Sequence, residues 1–438
     1  MADKRERWFY SYLPTNMAGG CFDSLLPLFI VLTLHGSVDE VAAVSVAASA
    51  ASVPALMFWG AATDAFKWRK HFLVLGFLGR TVAYIAMGMS VDVSHLLFAN
   101  ILMGLLSASS GPAMSILIFE TFSRDQWAEK TGRFNNIAGI GNLAGIALGT
   151  AWIAVAPLAM DMGTALRLLF FVNGVLALVG SWLAFALVVE PREKLSREDF
   201  NAHAVQLARW SVERARYLPG KIYRYFRWSH IREVTAHHES KGGYFGGFIA
   251  ASFVYTIGAV SFFTVMPVYL IQKVGVGETA VYALSFVQAL SSTLLYTKVG
   301  RILDKSDKPR ALFFAKLSRI GLFASYAAAA VVATWSTDAA LALLVALHLL
   351  LGIAWAVIGD VQMPIAVSSC EDEKKGAHAG MFNAAAGLGA IAGGAFGGIF
   401  AVSLGFELSI IASAALVGAS AAILYATVPF HKPSASKP

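Results

Sequence analysis

The chain is 438 residues long, 57% hydrophobic and only 14% charged, with a formal net charge of +7. Soluble domains carry about 25% charged residues, and a water-soluble fold of this length could not hide so much apolar surface. An ordinary soluble fold is therefore excluded, and much of the chain has lipid as its solvent.

A helix needs about 20 mostly apolar residues to cross a bilayer. Twelve such runs follow one another, at 12–34, 40–62, 71–91, 95–119, 133–156, 165–189, 244–272, 279–299, 311–333, 339–364, 378–402 and 406–429. The start, MADKRERWFY, is basic and then aromatic. The run after it is too long for a signal peptide and reads as a retained first membrane helix. It holds Asp23 near its middle and Pro27 four residues later. Ionisable groups in lipid are expensive and point to function by default, so Asp23 is a candidate for proton coupling or substrate binding. The alternative is that it caps a kink near Pro27.

Between the second and third runs lies GAATDAFKWRK, Gly60 to Lys70. Gly60 lets a neighbouring helix approach closely. Asp64, at a helix end, can face the positive N-terminus of a partner helix. Arg69 and Lys70 can anchor the loop or pair with the acid; a plain turn with inner-side charge is the blander reading. Arg80 lies about ten residues into the third run, where snorkelling or an intramembrane pair is favoured over substrate contact; turned inward, it is the natural counter-ion for Asp23. Asn100 in the fourth run, which recurs 248 residues later as His348, is a further candidate for coupling or substrate binding; Asn135 and Asn142 lie in the glycine-rich fifth, with Asn135 expected to bond between helices.

Residues 190–243 form a polar linker. Within it DFNAHAVQLARWSVERARYL has helical apolar spacing and then Pro219-Gly220, and KIYRYFRWSHIREV mixes bases with aromatics. An amphipathic helix lying on the cytoplasmic membrane surface accounts for both; no nucleic-acid-binding pattern accompanies the bases. After the eighth run comes GRILDKSDKPR, with Gly300, Asp304, Lys308 and Arg310. Arg319 is in the ninth run and is expected, like Arg80, to snorkel or pair. The tenth run holds His348, Trp355 and Gln362 every seven residues, along one face, as candidates for coupling or substrate binding, and Asp360 in its inner half. Asp360 is a second candidate proton or substrate site; His348 divides between a pathway role and packing. Cys21 and Cys370 are far apart, so neither a disulfide nor a metal site is expected.

The two halves repeat. Pro27, Gly60 and Asp64 recur 240 residues later as Pro267, Gly300 and Asp304. Gly104, Gly111, Gly132, Asn135, Gly141, Gly145 and Gly149 recur 248 later as Gly352, Gly359, Gly380, Asn383, Gly389, Gly393 and Gly397. Such duplication characterises transporter folds, with the solute held between repeats near mid-membrane. The position 240 after Asp23 is Phe263, so the repeat does not itself demand a charge there.

GAATDAFKWRK, its copy GRILDKSDKPR and the stretch KKGAHAGMFNAAAGLGAIAGG resemble the loop signatures of the major facilitator superfamily over essentially the whole chain. In this chain Arg69 and Lys70 come one residue later than that signature usually has its bases. The resemblance implies an all-α polytopic fold of twelve transmembrane helices in two pseudo-symmetric six-helix bundles, 1–189 and 244–438, joined by the cytoplasmic linker 190–243. It implies that spans one, four, seven and ten line the solute cavity, and that the Gly60–Lys70 and Gly300–Arg310 clusters form a cytoplasmic gate. GNLAG has Asn142 where antiporter branches have proline, which weakens an antiport reading.

Lys and Arg concentrate in the alternate loops that share a side with residue 1, which predicts cytoplasmic termini in a cell (inner) membrane. The basic excess then faces the anionic inner leaflet. The expected function is secondary active transport of a small organic solute, coupled to protons through Asp23 and Asp360. The scarce charge favours a neutral, amphipathic or cationic solute over a polyanion. Protons, lipids and the solute are the expected partners of a monomer that is not an enzyme and needs no cofactor. The rivals are a facilitative uniporter and a receptor or enzyme on the same scaffold.

Overall fold

The computed structural model describes residues 4–36, 38–189, 244–368 and 375–430. The linker at 190–243, with its expected surface helix, lies outside the described residues, as do Cys370 and the acidic and basic residues at 371–374. Among the described residues all regular structure is helical. The helices are α1 (Tyr12–Leu28), α2 (Val38–Phe66), α3 (Arg69–Gly88), α4 (Val93–Ser107), α5 (Ser110–Thr121), α6 (Trp127–Val155) and α7 (Met162–Leu187). In the second half come α8 (Phe245–Tyr269), α9 (Glu278–Asp304), α10 (Lys308–Ala333), α11 (Thr337–Ser368), α12 (Lys375–Leu404) and α13 (Phe406–Thr427).

Helices α4 and α5 run on as one span, Val93–Thr121. Ten helices among the described residues are long and apolar enough to cross a membrane, and eleven if the bent pair Arg5–Asp23 and Leu25–Thr33 is one span. The remaining expected run is α9. Its 27 residues give about 40 Å at 1.5 Å each, enough to cross. Gln288, Ser291, Ser292, Thr293, Lys298 and Arg301 lower its apolarity.

The bend in the first span, 41°, has a simple cause. Pro27 has no N–H to give the Asp23 carbonyl, so the i→i−4 ladder breaks there. A wide π turn, Phe29–Thr33, follows α1, and Pro267 is likewise followed by one at Leu270–Val274. Asp92 and Asp161 cap α4 and α7, accepting from His95 N and Thr164 N at 2.8 Å. Those bonds hold both carboxyls below the usual carboxylate range.

The chain forms two compact units. The first takes in Met1–Thr121, Ile137–Ala208 and Glu373–Ala384; the second takes in Phe122–Asn136, Arg209–Asp372 and Ala385–Pro438. Each sequence half therefore lends the opening turns of one helix, α6 or α12, to the unit built by the other. Packing inside the units follows the repeat: α3 lies on α7 and α4, and α2 on α4, as α10 lies on α13 and α11, and α9 on α11. Helix α1 meets α6 where a Cβ on Gly141 would strike the Leu13 carbonyl, and α8 meets α12 where one on Gly389 would strike that of Phe253. Glycine recurs there because two backbones touch. Aromatic rings fill what remains: Phe29 and Phe22 pack on Phe170 in the first unit, and Phe262 stacks on Phe323 at 3.8 Å in the second.

Candidate functional site

In the first unit Asp64 lies at the end of α2 against the start of α12. Its Oδ1 accepts from Gly376 N and its Oδ2 from Ala377 N, both at 2.6 Å. A carboxylate on two free N–H groups of a helix N-terminus satisfies orphan donors and meets the positive end of the dipole. Gly60 is one turn earlier. A Cβ there would fall 2.5 Å from the Gly376 carbonyl oxygen and 3.0 Å from the Gly380 Cα. Glycine is what lets α2 and α12 come close enough for Asp64 to reach.

The second unit repeats this arrangement. Asp304 accepts from Ala128 N at 2.8 Å and Glu129 N at 2.7 Å, at the start of α6. A Cβ on Gly300 would overlap the Ala128 backbone, and one on Gly132 the Tyr296 carbonyl. Lys308 Nζ sits 3.3 Å from Asp304 Oδ1, and Arg301 lies 3.3 Å from Glu129.

The bases of the first motif go elsewhere. Arg69, 5% exposed, grips Glu120 with two bonds, Nη2 to Oε1 at 2.8 Å and Nε to Oε2 at 3.2 Å. Its Nη1 donates to the Thr63 carbonyl at 2.6 Å, so Arg69 ties the end of α5 to the turn that carries Asp64. Lys70 lies over the Phe185 ring at 4.4 Å, and Arg310 over Phe314 at 5.9 Å. Sequence reasoning missed Glu120, although it is an acid at the very end of an apolar run.

Deeper in the first unit Asp23 is exposed on α1, within the electrostatic reach of Arg80, which is half-buried on α3. Asn100 is buried and donates to the Val44 carbonyl at 3.1 Å. In the second unit Asp360 has no exposure; its Oδ1 accepts from Asn135 at 3.0 Å and its Oδ2 has no hydrogen-bond partner. His348 is fully buried, with Nδ1 2.8 Å from the Leu344 carbonyl and 3.0 Å from Tyr326 Oη. Trp355, 41% exposed, and the half-buried Gln362 do not meet His348 through any hydrogen bond or ring contact.

Arg319 has no exposure at all, and neither has Lys316 one turn before it. The Lys316 ammonium donates to Ser420 Oγ at 2.8 Å and to the Ala251 carbonyl at 3.4 Å. Arg319 Nη1 donates to Tyr255 Oη, and its guanidinium carbon lies 5.0 Å from the Trp355 ring and 5.9 Å from that of Phe263. Sequence reading had Arg319 but not Lys316 or Tyr255. The signal was present in Lys316, three residues away on the same face of one helix.

A sequence model described as Major Facilitator Superfamily matches residues 8–359. No curated protein matches the sequence. Among solved structures, the human organic anion transporter MFSD10 (TETRAN) is similar with a TM-score of 0.72 at 15% identity, covering 97% of this chain and all of the other. A bacterial homologue of the iron transporter ferroportin, outward-facing with soaked iron, is similar with a TM-score of 0.67 at 14% identity, covering 96% and 98%.

Proposed function

The chain belongs to the major facilitator superfamily and is a multi-pass membrane transporter, and from that premise we propose that it moves a small organic solute by proton-driven alternating access. The solute site faces one side of the membrane at a time, in a cell (inner) membrane with both termini in the cytoplasm. Asp64 and Asp304 act as its cytoplasmic gate: each carboxylate releases a helix start and recaptures it once per cycle. In support, both acids hold two backbone N–H groups apiece, at helix starts lent by the opposite repeat.

The observation that carries proton coupling is Asp23, an open carboxyl on a cavity-lining span of this family, within the field of Arg80. A proton and Arg80 compete for the same carboxylate. Loading the proton removes the attraction to Arg80, and losing it restores that attraction, so each protonation state favours a different local arrangement. Asp360, with one oxygen held by Asn135 and the other without a partner, is the second proton site. The two structural neighbours are named for different cargoes, an organic anion and iron, so the shared fold does not choose the solute.

The test is uptake by proteoliposomes of a solute found by thermal-shift screening, with and without a pH gradient. Asp23→Asn is expected to equilibrate the solute but to lose accumulation against its gradient. Full pH-driven accumulation by this variant refutes coupling through Asp23, and gradient-independent uptake by the unaltered protein identifies a uniporter.

A further inference from the structure

We propose that Arg319 is the anchor for the anionic group of the solute, a monoanion such as a carboxylate whose flat apolar body lies against Phe263 and Trp355. The proposal deepens the transporter reading and rests on it.

The two repeats each keep an arginine at nearly equivalent places, Arg80 and Arg319. In the first unit Asp23 supplies the opposite charge. The repeat partner of Asp23 is Phe263, and its ring is one of three against the Arg319 guanidinium, at 5.9 Å, beside Trp355 at 5.0 Å and Tyr255 at 5.6 Å. The second unit has the cation without the acid. A buried charge without a counter-ion is costly. Lys316 adds a second buried basic side chain, and both lie against the Tyr255 ring, at 5.0 and 5.6 Å. Among the described residues no carboxylate forms an ion pair with either. Asp360, in the same unit, bonds to Asn135.

The orphaned atoms specify the chemistry. Arg319 Nη1 is taken by Tyr255, while Nε and Nη2 have no hydrogen-bond partner. These two nitrogens form one edge of the guanidinium, and their parallel N–H groups match the two oxygens of a carboxylate. One fork takes one anionic group, which fits a monoanion. The rings of Phe263 and Trp355 on the guanidinium's flanks offer flat apolar surface, and Trp355 is open enough to be met by a ligand.

The experiment uses full-length protein in nanodiscs and two probes of one shape, 1-naphthoate and the uncharged 1-naphthamide. Saturable naphthoate binding is expected, with naphthamide at least tenfold weaker. Arg319→Gln should weaken naphthoate at least tenfold. Phe263→Asp, which restores the acid of the first repeat, should abolish naphthoate binding while the melting temperature holds or rises. The site is refuted if folded, unaltered protein does not bind naphthoate, if naphthamide binds equally well, or if Arg319→Gln binds naphthoate as before. Uptake is measured alongside. Naphthoate binding without transport of any solute refutes the carrier reading alone; pH-driven uptake of other solutes without naphthoate binding refutes this site alone.

Discussion

At the scale of single residues, partners matter more than charges. Arg69 could anchor its loop or pair with Asp64; its two-pronged grip is on Glu120, and it anchors the loop through the Thr63 carbonyl. Hydrogen bonds to charged groups contribute about 1.5–3 kcal/mol, and Arg69 is nearly fully buried while Glu120 is partly open. Arg69→Gln is therefore expected to lower the melting temperature more than Glu120→Gln. The double variant should cost about 1–2 kcal/mol less than the two singles summed, because each single leaves a charge without its mate. A thermal-melt cycle on the four proteins reads this directly; strict additivity refutes the pair. His348 is buried between Tyr326 and the Leu344 carbonyl. His348→Ala should lower the melting temperature yet leave the KM of transport unchanged, and a KM raised severalfold would return the imidazole to the solute path. The sequence could nominate Asp23, Asp360 and Arg319 because charge in lipid is conspicuous. It could not show that Asp360 meets Asn135, because the two are 225 positions apart. Nor could it tell a snorkelling arginine from a buried one, since that depends on which way the helix face turns.

At the scale of helices, glycine marks where backbones touch. A Cβ on Gly300 would enter the Ala128 backbone, whereas Gly321, in the middle of α10, has nothing within 4 Å. The two glycines look alike in the sequence and should behave oppositely. Gly321→Ala is expected to be neutral or to stabilise by up to about 1 kcal/mol through helix propensity. Gly300→Ala should lower the melting temperature and the transport rate, and equal melting of the two variants contradicts the close crossing. Most helices were legible because runs of apolar residues declare themselves. The run at α9 was legible by length and repeat position, yet its Ser, Thr and Gln leave it outside the helices that are apolar enough to cross. Ser291 puts its polarity to use by donating to the Leu349 carbonyl on α11. Its partner lies on another helix, which composition cannot reveal.

At the scale of the whole molecule, the two acid caps are the same device used twice. Asp64→Asn or Asp304→Asn replaces a charged acceptor of two N–H groups with a neutral one. Each should slow turnover several-fold, and the pair more than either, as read by initial uptake rates; unchanged rates in the double variant contradict the gate. The repeat at offsets of 240 and 248 makes this device legible in the amino-acid sequence, because Gly and Asp recur together. What the repeat hides is the lending: α6 opens in the unit built mainly by the second half, and α12 in that built by the first. That exchange has a consequence for how the protein is made. Asp64 leaves the ribosome 312 residues ahead of Gly376, a wait of roughly 15–60 s at about 5–20 residues per second. Ala128 in turn waits 176 residues for Asp304. The earliest part of the chain is thus completed by nearly the last, and a premature stop anywhere between residues 190 and 375 should leave the N-terminal half exposed to membrane proteolysis, although every one of its own helices has been translated.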